Sequence, residues 1–100
     1  MAAQIFALDA IKDRLSPVFK SYNVSSAVLF GSYAKGCATA YSDIDLVVDS
    51  HLHGLSFFAL LEDIREALEE KEVDVFDITH IDEGSKVQQE INATGVKIYG

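Results

Sequence analysis

Residues 26–49 have the sequence SAVLFGSYAKGCATAYSDIDLVVD. This stretch contains two short apolar runs, residues 26–30 and 43–49, whose length and composition are typical of buried β-strands. Between them, the segment Gly31–Gly36 predicts a tight turn that includes one helical turn. The stretch therefore predicts two strands joined by a connection that opens with Gly31 and Ser32.

The flanking sequence predicts helices on both sides of these strands. Apolar residues at helical spacing predict an amphipathic first helix. Pro17 should either kink this helix or begin a second short helix, with Ser16 as its N-cap. Downstream, the pattern predicts a helix over 55–70, a third strand over 73–78, a short helix over 84–93 and a last edge strand over 96–99. The stripe of the first helix consists of Ile5, Leu8, Ile11 and Leu15. We therefore predict an α/β (α+β) fold with a small, mixed three-stranded β-sheet covered by helices.

Length and charge narrow the possible functions. The 100 residues fit a single domain spanning 1–100. Sixteen acidic residues against eight basic ones give a net charge of −8, which argues against nucleic-acid binding by this chain alone. No stretch approaches the roughly 20 apolar residues of a membrane span. A lone cysteine, Cys37, excludes an internal disulfide, so we expect a cytoplasmic protein.

Two aspartates in the second strand are the first candidates for chemistry. Asp43 and Asp45 are separated by one residue, so their side chains share a face of the strand. Two adjacent carboxylates repel each other unless a divalent cation lies between them, although a solvated pair on an edge strand is the alternative. Gly31 and Ser32 follow a buried strand, where backbone N–H groups and a hydroxyl could approach phosphate oxygens. The alternative is an ordinary strand end followed by a helix-capping serine.

Further candidates lie outside this stretch. Asp74 interrupts an apolar run, where a carboxylate is costly unless it is paired or bound to metal. Asp77 lies on the opposite face by alternation, at a strand end where we expect it to be solvated. Lys35 either contacts a phosphate or is a solvated loop residue. Phe58 falls outside the main apolar stripe of its helix and is a candidate partner contact.

The spacing Gly31-Ser32, ten residues, Asp43-x-Asp45 resembles the signature of the DNA polymerase β-like nucleotidyltransferase superfamily. The longer string resembles the minimal nucleotidyltransferases (MNT), including the MntA-type antitoxins of HEPN/MNT toxin–antitoxin systems. This resemblance implies a nucleotidyltransferase fold that uses ATP and two Mg²⁺ ions. It implies that Asp43, Asp45 and Asp74 bind metal and act in catalysis. Gly31 and Ser32 would hold the terminal phosphates, with Lys35 as a further nucleotide contact.

The resemblance also implies a biological role. It points to transfer of AMP from ATP to a hydroxyl, namely a tyrosine of a partner HEPN-domain toxin, within a homo- or hetero-oligomer. The alternatives are an antitoxin that neutralises its partner by binding alone, or nucleotidyl transfer to a small molecule. Two positions depart from many relatives: Lys35 replaces an arginine and Cys37 an acidic residue. Because lysine cannot form the bidentate fork of arginine, nucleotide affinity should differ.

Overall fold

The computed structural model describes residues 6–39 and 41–100. Ile5, predicted to begin the apolar stripe of the first helix, lies outside these residues. Helices and strands alternate through much of the described chain. In chain order they are α1 (Leu8–Ser21), β1 (Ser26–Phe30), α2 (Ser32–Lys35), β2 (Ile44–Asp49), α3 (Leu55–Ala67), β3 (Val73–Asp77), a 3₁₀ turn (Ile78–His80), α4 (Lys86–Thr94) and β4 (Val96–Tyr99).

The strands form one mixed sheet in the order β3-β2-β1-β4. β1 pairs antiparallel with both β2 and β4, whereas β2 and β3 are parallel, with α3 as their crossover. The prediction of a mixed α/β fold is confirmed, but the predicted count of three strands is wrong. The last predicted strand is the fourth member of the sheet, because its backbone pairs with the edge of β1 that β2 leaves open.

One face of the sheet packs against α1 and α3 to form the hydrophobic core. Alternate residues of each strand point to this face, and the apolar stripes of the two helices cover them. The completely buried side chains of this core include Leu29, Ile44, Leu46 and Val48 from the sheet, Ile11 and Leu15 from α1, and Leu60 and Ile64 from α3.

Helix α1 continues through Pro17, so the second short helix capped by Ser16, one of the two predicted alternatives, does not form. A proline inside a helix leaves the carbonyl four residues earlier without its usual donor. Here that carbonyl belongs to Asp13, and both Asp13 and Pro17 are exposed. Water can therefore bond to the carbonyl, and the helix continues at low cost.

The opposite face of the sheet carries the polar candidates. Phe30, Asp45 and Asp74 are aligned across β1, β2 and β3. The rings of Phe30 and Phe76 lie 6.1 Å apart on this face, and α4 packs against its β1 side near Val28. The β3 side of this face is not covered by α4, so the face is only partly covered beside the carboxylates. None of the helices in the described ranges has the length and apolar character needed to cross a bilayer.

Candidate active site

Asp45 and Asp74 form a carboxylate pair on adjacent parallel strands. Each is the second residue of its strand, and the register places them directly opposite one another. Neighbouring strands are about 4.8 Å apart, so the two side chains project side by side from the same face. They are close enough for the charge of Asp74 to act on the Asp45 carboxyl. Two of the three carboxylates singled out from the sequence are therefore brought together.

The surroundings of Asp45 disfavour its negative charge. Burial is the largest cause and the charges of Asp74, Asp43 and Glu90 add to it, and together they raise the pKa of Asp45 to about 6. A divalent cation would relieve this repulsion, and an all-oxygen set of carboxylates is the donor chemistry that Mg²⁺ prefers. The residues present therefore fit a magnesium ion.

Asp43 completes the acidic group from just outside the strand. β2 begins at Ile44, so Asp43 lies one residue before it, exposed to solvent but close enough for its charge to act on Asp45. Across residues 6–39 and 41–100, no three His, Cys, Asp or Glu side chains are already arranged as a metal cage. The site thus consists of a carboxylate pair with a third carboxylate beside it, and metal binding by all three stays a prediction.

Gly31 packs against the carboxylate of Asp45. It is buried and has φ +79° and ψ −152°, a conformation that side chains other than glycine's resist. A Cβ at this position would lie 2.6 Å from Oδ2 of Asp45. The Gly31 N–H donates to Oγ1 of Thr94, at 2.9 Å. Glycine is therefore needed here for close approach to Asp45, and its N–H already has a partner within the protein.

Ser32 and Lys35 begin and end the short helix α2 that follows Gly31. Ser32 is half-buried and Lys35 is exposed. Because β1 runs antiparallel to β2 with Phe30 opposite Asp45, this helix starts at the same end of the sheet as the acidic group. Both residues therefore stay candidates for phosphate contacts.

Helix α4 supplies site residues that the sequence analysis missed. A cavity of about 220 Å³ lies between α4 and the sheet. It is lined by Phe30, Gly31, Asp45, Phe76, Lys86, Val87 and Glu90. The polar residues Lys86, Glu90 and Thr94 recur every four residues on α4, which places them on one helical face. That spacing is visible in the sequence, but nothing local in the sequence indicates that the face packs beside Gly31.

Asp77 has a structural role instead of the solvated one predicted for it. It is only 2% exposed. Its carboxylate accepts from the Oγ and N–H of Ser50 at 2.6 and 3.1 Å, and from the Oγ1 and N–H of Thr79 at the same distances. Burial alone would raise its pKa, but these hydrogen bonds outweigh burial and lower the pKa of Asp77 to about 2. Asp74, expected in a buried run, is exposed because no element covers its face of the edge strand β3 among the described residues.

A mixed sheet that carries carboxylates on two adjacent parallel strands, with a Gly-Ser turn entering a short helix beside them, has the architecture of a nucleotidyltransferase domain. The family profile "Polymerase beta, Nucleotidyltransferase" matches residues 13–100. The chain therefore belongs to the polymerase β nucleotidyltransferase family. No curated protein sequence matches it significantly.

Solved structures of toxin–antitoxin proteins share the fold. A toxin–antitoxin structure with AMP-PNP matches with a TM-score of 0.72 and 24% identity, covering 89% of this chain and 73% of the other. A tri-AMPylated Shewanella oneidensis HEPN toxin in complex with MNT antitoxin matches with a TM-score of 0.67 and 21% identity, covering 93% and 72%. The toxin–antitoxin pair MntA-HepT matches with a TM-score of 0.66 and 21% identity, covering 92% and 72%.

Proposed function

We propose that this protein is a Mg²⁺-dependent adenylyltransferase that moves AMP from ATP to a tyrosine hydroxyl of a partner HEPN-domain toxin. The observation that carries the proposal is the register pairing of Asp45 with Asp74 beside Gly31. Paired carboxylates next to a glycine turn suit a reaction in which a metal-bound triphosphate must be held near a hydroxyl. Membership of the nucleotidyltransferase family supports the reaction class.

Asp43, Asp45 and Asp74 are assigned to the metal ions. Two bound Mg²⁺ ions would lower the pKa of the attacking hydroxyl and offset charge on the pyrophosphate leaving group. The three carboxylates would hold the metal ions in fixed positions, so that catalysis depends on positioning and charge neutralisation. Ser32 and Lys35, on α2, are assigned to the triphosphate. Asp74 lies nearest the open side of the sheet and therefore faces the incoming hydroxyl.

The similar structures suggest the nucleotide and the acceptor. One of them was crystallised with AMP-PNP, and another contains an AMPylated HEPN toxin beside its MNT antitoxin. The net charge of −8 suits a basic, RNA-binding partner through electrostatic complementarity. AMP on a HEPN partner's tyrosine is therefore the reaction that we assign to this chain.

The test is to incubate the protein with ATP labelled in the α-phosphate, Mg²⁺ and the HEPN-domain polypeptide encoded beside it. We expect label on a partner tyrosine, loss of labelling with a metal chelator, and a loss of about 10²-fold or more in Asp45→Asn. Asp13→Asn is the matched control, because it removes one exposed carboxylate on α1 at no cost to the site. No label on the partner with the parent protein would contradict the proposal.

A second assay, which measures neutralisation of the partner, separates turnover from binding. If Asp43→Ala combined with Asp45→Ala still neutralises the partner as well as the parent does, complex formation is the activity and AMP transfer is not. If label appears on a small hydroxylated acceptor and not on the polypeptide, the acceptor class is wrong.

A further inference from the structure

A groove runs between helix α3 and the outer edge of β3, next to the acidic group. It has a volume of about 310 Å³. Its α3 wall is formed by Phe58, Leu61, Glu62 and Arg65, and its other wall by residues 73–76 of β3. Phe58 is 58% exposed although it lies one residue from the buried stripe of α3. The spacing of these α3 residues gives the helix a second face, partly apolar, that the core does not use.

The backbone of β3 offers unpaired hydrogen-bonding groups to this groove. Within residues 6–39 and 41–100, β3 pairs only with β2 and ends the sheet. Ile44 N–H donates to the carbonyl of Glu72, at 3.1 Å. In a parallel pair, alternate residues turn their backbone groups to the same neighbour, so those of Asp74 and Phe76 face β2. The N–H and C=O groups of Val73 and Val75 therefore point outward, as they do at an edge that can accept another strand.

We propose that this edge receives the acceptor segment of the partner polypeptide as an added β-strand, an inference that rests on the proposed function. Side chains of an added strand alternate between the two faces of the sheet. One set would enter the groove against Phe58 and Leu61, and the next would emerge beside Asp74 on the face that carries Asp45. The segment that fits therefore has an apolar residue adjacent in sequence to the hydroxyl-bearing residue. Main-chain pairing supplies affinity, and the alternation delivers the hydroxyl to Asp74.

A second copy of this chain is a poorer occupant of the same edge. Pairing β3 with β3 would bring the exposed Asp74 of each copy towards the other, and like charges across paired strands destabilise. Each chain also carries a net charge of −8. The edge is thus open to a partner of different sequence and protected against self-association.

The test compares two substitutions on α3, with the neighbouring HEPN-domain polypeptide as the probe. Phe58→Glu places a charge in the groove, and we expect it to raise the KM for the polypeptide by about tenfold. The thermal shift caused by Mg²⁺ and ATP should not change. Leu55→Glu introduces the same charge on an 87% exposed residue of the same helix outside the groove, and it should leave the KM unchanged. Circular dichroism melts confirm that both variants fold.

Amide hydrogen exchange provides an independent measurement. On complex formation, the amides of Val73 and Val75 should slow by about tenfold or more, whereas those of Asp74 and Phe76 are already bonded to β2. Equal KM values for the parent and Phe58→Glu, or unprotected Val73 and Val75 amides in a labelled complex, overturn the inference and leave the proposed function intact. Protection of these amides without labelling supports the docking surface and contradicts the proposed chemistry. Protection in the free chain, with a doubled mass, identifies self-association and overturns the inference.

Discussion

A Cβ on residue 31 would lie 2.6 Å from Oδ2 of Asp45, so the glycine of the turn and the first paired carboxylate are in direct contact. The same residue has a positive φ of +79°. Both facts require glycine here, one through space and the other through backbone conformation. A substitution in the turn at Gly31 should therefore also disturb the Asp45 carboxylate.

Gly31→Ala should destabilise the protein more than Gly36→Ala does. Gly36 is the comparison, because its backbone is left-handed helical, with φ +75° and ψ 17°, and a Cβ there would meet nothing within 4 Å. Gly36→Ala should cost about 1 kcal/mol from backbone strain. Gly31→Ala should cost about 3 kcal/mol, because the φ and ψ of Gly31 are open almost only to glycine and the Asp45 carboxylate must also move. Urea unfolding measures both free energies of unfolding, and equal losses would contradict the added cost assigned to Gly31.

The metal-free protein should become less stable as the pH rises past the titration of Asp45. The folded pKa of about 6 lies above the ordinary aspartate pKa of 3.8, so the folded state holds its proton more tightly. The stabilising contribution is therefore complete below about pH 4 and lost as the pH rises through about 6. Because Asp45 is partly exposed, the loss should be on the order of 1 kcal/mol after solvent screening.

Asp45→Asn should remove this part of the pH dependence. In chelator, thermal melts should show the variant gaining on the parent as the pH rises from about 4 to about 7. Asp13→Asn should follow the parent, since it removes an exposed carboxylate elsewhere. Mg²⁺ should raise the melting temperature of the parent above about pH 6 and not that of Asp45→Asn. Parallel stability curves for parent and Asp45→Asn would contradict the electrostatic strain assigned to this site.

Asp77→Asn should unfold the protein far more easily than Asp74→Asn does. Asp77 accepts four hydrogen bonds from Ser50 and Thr79 while buried, and an amide cannot accept all four. The expected loss is about 3 kcal/mol in urea unfolding at neutral pH. Asp74 lies three residues earlier on the same strand and is exposed, so its neutralisation should cost little and relieve repulsion with Asp45.

The pH dependence of Asp77 has the opposite sign to that of Asp45. Its folded pKa of about 2 lies below the ordinary aspartate pKa of 3.8. Its contribution is therefore present above about pH 4 and lost as the pH falls through about 2. Between these values the parent should approach the stability of Asp77→Asn. A parent that keeps its full advantage over the variant below about pH 2 would contradict the hydrogen-bonded carboxylate.

The two aspartates of β3 show what the sequence could and could not predict. Alternation along a strand correctly separates Asp74 from Asp77, because the rule depends only on local geometry. Whether each face is covered depends on the packing of other elements, and the sequence-based expectation reversed the exposure of the two residues. The strand count failed for the same reason, since β4 is defined by its pairing with β1 and not by its own four residues.

The site residues on α4 could not be predicted from the sequence, for a different reason. The 3.6-residue period predicts a helix near residues 84–93 and places Glu90 and Thr94 on one face. The period does not indicate which part of the protein that face contacts. Only tertiary packing places it beside the end of β1, about 60 residues earlier in the chain. The fold consequently brings Gly31 and Thr94 together, and no short sequence motif predicts their contact.

The hydrogen bonds of Thr94 give a further prediction, because they join α4 to the glycine turn. Thr94 Oγ1 accepts from Gly31 N–H at 2.9 Å and donates to the carbonyl of Glu90 at 2.8 Å. Thr94→Val keeps the shape of the side chain but leaves the N–H of buried Gly31 without this acceptor. We expect the free energy of unfolding to fall by about 2 kcal/mol. Thr94→Ser keeps the hydroxyl and should lose less than about 1 kcal/mol.

Nucleotide binding tells us whether this connection also positions the turn. If Thr94 Oγ1 holds Gly31 and hence the start of α2, Thr94→Val should weaken the thermal shift caused by Mg²⁺ and ATP, and Thr94→Ser should restore it. Ile91→Ala, at a half-buried position of the same helix outside the cavity lining, removes an apolar side chain without touching the hydrogen bond. If Ile91→Ala loses as much stability but keeps the full thermal shift with Mg²⁺ and ATP, the weaker shift of Thr94→Val is due to the lost hydrogen bond. Equal nucleotide shifts in all three variants would restrict Thr94 to a structural role, because the turn would then keep its shape without the α4 hydroxyl.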